Sequence, residues 1–140
     1  MTSPKRLLSF FVLVLLPIIV SQCSDDTSDD YYTQALEYTN RQEYEKAQQS
    51  FLKAIVENPK HADAYYGLGG IYNYKKMYEK AVEAFQKTIQ LDPTHFNAHY
   101  SLGYTYELMD RKEESEKAYQ KYRELKKKFD AFMKTEQEKR

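Results

Sequence analysis

One offset dominates the sequence: when the chain is shifted by 34 residues against itself, similar residues coincide along most of its length. The coinciding sets are Tyr38, Tyr72 and Tyr106; Phe51, Phe85 and Tyr119; Ala47 and Ala81; Tyr44 and Tyr78; Leu68 and Leu102; Gly69 and Gly103; and Pro59 and Pro93. A period of this length is typical of solenoids, in which one small structural unit is repeated and stacked. The sequence therefore predicts three stacked units, at about 28–61, 62–95 and 96–129.

Each unit is predicted to contain two helices. In the middle unit the residues at helical spacing are Tyr65, Leu68, Gly69 and Tyr72, followed by Ala81, Phe85, Thr88 and Ile89. Pro93 disfavours the α conformation at Asp92 and so ends the second helix. Gly69 and Ala81 are small where two antiparallel helices are expected to approach closely.

The middle unit resembles the tetratricopeptide repeat over its whole length, 62–95. The residues that carry the resemblance are Ala64, Tyr65, Leu68, Gly69, Tyr72, Ala81, Phe85 and Pro93. The first unit departs from the family at Gln34 and Ala35, and the third has Ser115 in place of a smaller residue, as terminal repeats often do. The resemblance implies an all-α, right-handed solenoid of three helix-turn-helix repeats.

The third unit lacks the closing proline, so its last helix is predicted to continue. The apolar positions at spacings of three and four are Tyr119, Tyr122, Leu125, Phe129 and Phe132, flanked by Lys126, Lys127, Lys128 and Lys134. We expect a long or kinked C-terminal helix that caps the exposed side of the third repeat. A helix that lies on a membrane surface is the alternative.

The first residues differ from the repeats. Lys5 and Arg6 precede the uncharged run Leu7–Val20, which would rise only about 21 Å as a helix, less than a hydrocarbon core of roughly 30 Å. A basic head and a compact apolar run are typical of a secretory signal peptide. An uncleaved signal anchor is the alternative.

The signal is followed by Val20-Ser21-Gln22-Cys23, which resembles a bacterial lipobox, although Gln22 is larger than the residue usual there. The resemblance implies that residues 1–22 are removed and that an acyl chain such as palmitate is attached to Cys23. A conventional cleaved signal that leaves a free cysteine is the alternative.

The polar and acidic stretch 23–30 is predicted to be a flexible tether between this anchor and a repeat domain at 31–140. Ser24 stands where some bacteria use Asp to retain lipoproteins at the inner membrane. The chain is therefore expected to be exported and lipid-anchored in the cell envelope, at the outer membrane.

Composition excludes several functional classes. The 21 basic and 21 acidic residues cancel, which argues against a nucleic-acid partner, and the single Cys excludes a disulfide framework. Residues 23–110 carry 8 basic and 14 acidic residues, whereas 111–140 carry 11 and 7. His61 and His95 lie one period apart at unit boundaries and are predicted to be structural. No catalytic set, metal site or cofactor is predicted.

In tetratricopeptide repeats, five positions of each first helix point into a concave groove. By resemblance, four of these positions in the first unit are Tyr32, Leu36, Thr39 and Asn40; the five in the second are Asp63, Tyr66, Gly70, Asn73 and Tyr74; and the five in the third are Asn97, Tyr100, Tyr104, Glu107 and Leu108. Chaperone-binding members clamp a peptide carboxylate there with Lys and Arg, which this chain lacks at those positions. Instead, Tyr32, Tyr66 and Tyr100 form a tyrosine ladder, which is either a binding surface or packing.

These observations predict a non-enzymatic adaptor that binds a protein or peptide in the tyrosine-lined groove and reaches the membrane through Cys23. The alternative is a structural envelope protein that forms homo-oligomers by stacking through the ends of its solenoid.

Overall fold

The computed structural model describes residues 27–139. Within this range the chain forms six helices and no strand, arranged as three helix-turn-helix pairs. The helices are α1 (27–40), α2 (Tyr44–Glu57), α3 (Ala62–Tyr74), α4 (Tyr78–Leu91), α5 (Phe96–Leu108) and α6 (Lys112–Glu138). The predicted all-α solenoid with a long C-terminal helix is confirmed.

Small residues lie where neighbouring helices approach each other. The fully buried alanines are Ala35, Ala47, Ala54, Ala64, Ala81 and Ala98. A Cβ added to Gly69 on α3 would lie 2.6 Å from Cε1 of Phe85 on α4. One added to Gly103 on α5 would lie 2.8 Å from Cδ1 of Tyr119 on α6. The close approach of paired helices that was predicted at Gly69 is confirmed.

A hydrogen bond joins the start of the first helix to the end of the second in the first two repeats. In repeat one the Ser28 hydroxyl donates to the Ala54 carbonyl at 2.9 Å. In repeat two the Thr88 hydroxyl donates to the Ala62 carbonyl at 3.3 Å. These are the same two positions shifted by 34 residues, so the contact is kept while the donor moves to the other helix.

This hydrogen bond corrects the predicted tether. Residues 27–30 form the first described turn of α1 and are not a flexible segment, because Ser28 is fully buried against the last turn of α2. The other N-terminal predictions, namely the signal peptide, the lipidation of Cys23 and the rest of the tether, fall outside the described residues.

Each helix pair reverses direction through a residue in the left-handed region. These residues are Gln42, Lys76 and Asp110, with φ of 62°, 58° and 56°, and they are one period apart. In the second turn, the Met77 N–H donates to the Tyr72 carbonyl at 2.8 Å, as expected for a Schellman motif. The motif satisfies carbonyls at the end of the first helix. The second helix begins two residues after the left-handed residue.

The last helix, α6, is 27 residues long. Phe96, the first residue of α5, contacts Tyr122 and Phe129 of α6, with ring centroids 6.3 and 5.3 Å away. The last turns of α6 therefore continue past the start of α5, where Phe132 is 60% exposed. Among the described residues, no helix has the length and apolar character needed to cross a bilayer.

Candidate protein-interaction groove

A cavity of about 370 Å³ lies between the first helices of repeats one and two, and we call it the groove. Seven of the predicted groove residues line it: Tyr32, Leu36, Thr39, Asp63, Tyr66, Gly70 and Tyr74. Phe51, Ile71 and Phe85 contribute apolar walls. The structure therefore brings together seven of the nine residues predicted in the first two repeats.

Tyr32 and Tyr66 form one side of the groove and also join successive repeats. The Tyr32 ring lies 6.0 Å from the Phe51 ring and 4.8 Å from the His61 ring. One period later, Tyr66 lies 5.8 Å from Phe85 and 4.7 Å from His95. Both tyrosines are half-buried. Their rings therefore pack and face the groove at the same time.

His61 and His95 are the N-cap residues of α3 and α5, the first helices of repeats two and three. His61 Nδ1 accepts the Ala64 N–H at 3.3 Å, and His95 Nδ1 accepts the Ala98 N–H at 3.0 Å. Each ring thus caps an N-terminal turn, which satisfies a backbone donor that the helix leaves free. The structural role predicted for the two histidines agrees with this geometry.

The opposite ring nitrogens of these histidines face carboxylates. His95 Nε2 lies 3.3 Å from Oδ1 of Asp63, on the rim of the groove. His61 Nε2 lies 3.2 Å from Oδ1 of Asp29, without hydrogen-bond alignment. His95, the N-cap of α5, therefore holds the Asp63 carboxylate at the rim of the groove.

The mouth of the groove is open and aromatic. Tyr74 is 63% exposed, and its ring stacks on Tyr44 with centroids 3.9 Å apart. A Cβ added to Gly70 would meet no atom within 4 Å. A ligand can therefore approach along α3 over Gly70.

Electrostatics in the groove is dominated by Asp63. Burial raises the pKa of Tyr32 above its ordinary value, and the negative charge of Asp63 and the Tyr66 phenol act in the same direction. The Tyr32 hydroxyl therefore loses its proton less readily than that of a free tyrosine.

The predicted residues of repeat three lie elsewhere. Tyr100 is 49% exposed and contacts Tyr119 and Tyr122 of α6, with ring centroids 5.5 and 5.2 Å away. It does not line the groove. Tyr100 lies on α5, whereas the groove lies between α1 and α3, and two aromatic rings of α6 pack beside Tyr100. The ladder is therefore a pair of groove tyrosines and a third tyrosine that packs on α6.

The other predicted residues of repeat three also lie outside the groove. The Tyr119 hydroxyl donates to Oε2 of Glu107 at 2.9 Å, and burial together with this hydrogen bond raises the pKa of Tyr119 to about 12. Asn97 lines a separate cavity of about 510 Å³ with Phe96, Phe129 and other residues. Tyr104 and Leu108 are exposed.

Two predicted amides are not in the groove lining. Asn73 donates from Nδ2 to Thr105 Oγ1 at 2.7 Å and so connects α3 with α5. Asn40 is exposed at the end of α1. The sequence reasoning missed Tyr44 and Ser101, which the groove includes. The coincidence of Tyr44 with Tyr78 at the 34-residue offset was the available signal for Tyr44.

The histidines are not arranged as metal ligands. His99 is buried, and this burial lowers its pKa below the ordinary value, while its Nε2 lies 3.4 Å from the Pro93 carbonyl. No group of three or more His, Cys, Asp or Glu in residues 27–139 has the arrangement of a metal site.

Comparison with known protein families covers all three repeats, although one of the matches begins within α4 and not at a repeat boundary. Models of the tetratricopeptide repeat match residues 31–61, 62–95 and 84–120. The chain is a tetratricopeptide-repeat protein. The broad function that accompanies this membership is that of a protein–protein interaction module.

Solved structures resemble this tetratricopeptide-repeat protein. A crystal structure of MamA is 31% identical with a TM-score of 0.73, over 75% of this chain and 61% of that one. A second MamA structure is 32% identical with a TM-score of 0.69, over 73% of this chain and 56% of that one. The chain thus spans about three fifths of the length of these MamA chains. No curated protein sequence gives a significant match.

The second tetratricopeptide domain of Spaghetti (RPAP3), solved with the HSP90 peptide SRMEEVD, has a TM-score of 0.72. It is 16% identical over 75% of this chain and 96% of that one. At this identity the likeness shows the fold alone.

Proposed function

We propose that this tetratricopeptide-repeat protein is a non-enzymatic adaptor of a bacterial cell envelope that binds a protein or peptide in the groove between α1 and α3. The observation that carries the proposal is the groove itself, which is apolar on its walls and open over Gly70. Tyrosines at its edge offer large rings with a hydrogen-bonding tip, which is the chemistry that protein interfaces favour.

The groove is better probed at Gly70 than at the tyrosines. Truncation of Tyr66 would remove ring contacts to Phe85 and His95, so a loss of binding could reflect a loss of packing. A Cβ at Gly70 would meet no atom within 4 Å, and Gly70 lines the groove, so a larger side chain there would project into its mouth. It would therefore occupy the mouth of the groove at little cost to the fold.

We expect Gly70→Trp to retain the wild-type melting temperature within a few degrees and to weaken partner binding by about tenfold or more. The partner would be identified by crosslinking in native membranes and then titrated as a purified protein. Gly70→Ala is the matched control, because its methyl group leaves the mouth open. Equal affinity of wild type and Gly70→Trp would refute binding in the groove.

The membrane anchor is a separate part of the proposal and rests on the lipobox-like residues that end at Cys23. Acyl chains there would hold the repeats at the membrane, with about 0.8 kcal/mol contributed per buried methylene. We expect Cys23→Ala to leave the precursor uncleaved or to release the protein from the detergent phase on partitioning. Wild-type mass and partitioning of this variant would exclude lipidation.

Self-association through the ends of the solenoid is the second candidate. It is favoured by the apolar side chains that α6 leaves exposed at the C-terminal end, namely Phe129, Phe132 and Met133. Only this candidate requires oligomers in the absence of a partner. Sedimentation of the purified protein over a concentration series therefore separates the two.

A further inference from the structure

The two helix layers differ in charge: the first helices carry acidic residues alone, whereas the second helices carry acidic and basic residues in nearly equal number. The first helices of the three repeats, at 27–40, 62–74 and 96–108, contain five carboxylates and neither lysine nor arginine. All lysines and arginines of residues 27–139 lie on the second helices, in connecting segments or, for Lys139, just after α6. The charged side chains that the first helices present to a ligand between them are therefore all carboxylates.

Within the groove the charge is concentrated at one point. Asp63 is the only charged residue among those that line the cavity. Its side chain is 58% exposed, although one carboxylate oxygen faces His95 Nε2 at 3.3 Å. The carboxylate is therefore held in position by His95 and remains accessible to a ligand.

The rest of the lining completes a site for a cation beside an apolar group. Tyr32, Tyr66 and Tyr74 present aromatic faces and hydroxyls, and aromatic faces attract lysine and arginine through their quadrupole. Leu36 and Phe51 add apolar surface. A ligand carboxylate would find no cation here and would be repelled by Asp63.

We infer that the groove binds a segment of a partner protein in which a lysine or arginine lies next to an apolar or aromatic side chain. The cation meets Asp63 and a tyrosine face, and the apolar side chain occupies the walls. This inference rests on the proposed function, because it names the ligand class of the same groove. The volume of about 370 Å³ suits a few side chains of an extended segment.

The test uses three short blocked peptides that alternate leucine with lysine, glutamate or glutamine, titrated into the full chain by calorimetry. Amide shifts of α1 and α3 in NMR spectra report whether binding occurs in the groove. We expect the lysine peptide to bind there about tenfold more tightly than the glutamine peptide, with no detectable binding of the glutamate peptide. High salt should remove most of this preference.

Asp63→Asn tests the specific carboxylate, since asparagine keeps an acceptor for His95. Glu79→Gln is the matched control: both residues are exposed acids in the first turn of a helix, but Glu79 belongs to α4 in the outer layer. We expect Asp63→Asn to weaken the lysine peptide about tenfold and Glu79→Gln to leave its affinity unchanged.

The possible failures are distinguishable. Equal binding of all three peptides in the groove, or equal losses from Asp63→Asn and Glu79→Gln, would overturn the cation specificity and leave the proposed function standing. Absence of any shift in α1 and α3 with every peptide would also overturn the cation specificity, whereas the proposed function is decided separately by Gly70→Trp. A homodimer that Asp63→Asn dissociates would show that a second copy, and not a foreign segment, supplies the cation.

Discussion

Phe51→Ala is expected to lower the free energy of unfolding by about 3–5 kcal/mol, the usual cost of truncating a buried phenylalanine. Only 1% of Phe51 is exposed. Its ring approaches Tyr32 of α1 and lies so close to Gly67 of α3 that an added Cβ would be 2.3 Å from its Cζ atom. The ring thus joins three helices from two repeats, and its truncation would leave a cavity between them.

The matched control for Phe51→Ala is the next residue. Leu52 lies on the same helix but is 39% exposed, so Leu52→Ala should cost clearly less. Urea denaturation followed by circular dichroism measures both. Because a solenoid is stabilised by contacts between neighbouring repeats, Phe51→Ala should also reduce the denaturant slope as repeat one unfolds separately. Similar losses for the two variants would contradict the core position of Phe51.

The period of 34 residues made most of the fold predictable. The repeat units place small residues at the same close contacts and aromatic residues at the same positions between helices, so one well-matched unit defines the register of the others. Pro93 located a helix end directly: α4 ends at Leu91 and Asp92 is extended, with φ of −132°. These signals are local in sequence and need no knowledge of tertiary contacts.

The start of α1 was not predicted because its stabilising contact is remote. Acidic and polar composition around residues 27–30 indicated a tether, whereas the Ser28 hydroxyl bonds to a carbonyl 26 residues away. The 34-residue alignment did contain a hint, since it places Ser28 opposite Ala62, the first residue of α3. At residues 27–30 the local composition and the repeat register thus point to different structures, and the structure follows the register.

The candidate site was predictable only where a following repeat exists. Tyr32 and Tyr66 each pack on the histidine that caps the first helix of the next repeat. For Tyr100, the residue at the position of these histidines is Phe129, which belongs to the continuous helix α6. The environment of Tyr100 is therefore set by the length of α6, which no repeat pattern determines. The left-handed turn residues were missed because none of Gln42, Lys76 and Asp110 is glycine.

Added volume is expected to destabilise the fold at Ala81, which has no exposed surface and lies in the cluster that includes Phe85, Leu102 and Tyr106. Ala81→Leu should lower the free energy of unfolding by about 1–3 kcal/mol, because a filled core accommodates extra methylenes only by displacing its neighbours. Repeats two and three are both expected to lose stability, since the cluster joins them.

Ser115 occupies the position of Ala81 one period later and supplies the comparison. It is also buried, but it borders a surface cavity of about 290 Å³ with Glu107 and Tyr119. A leucine there can extend into the cavity, so Ser115→Leu should cost less than Ala81→Leu. Thermal melts of both variants measure the difference. Equal losses in melting temperature would mean that the third repeat packs as tightly as the second at this position, contrary to the register assigned to it.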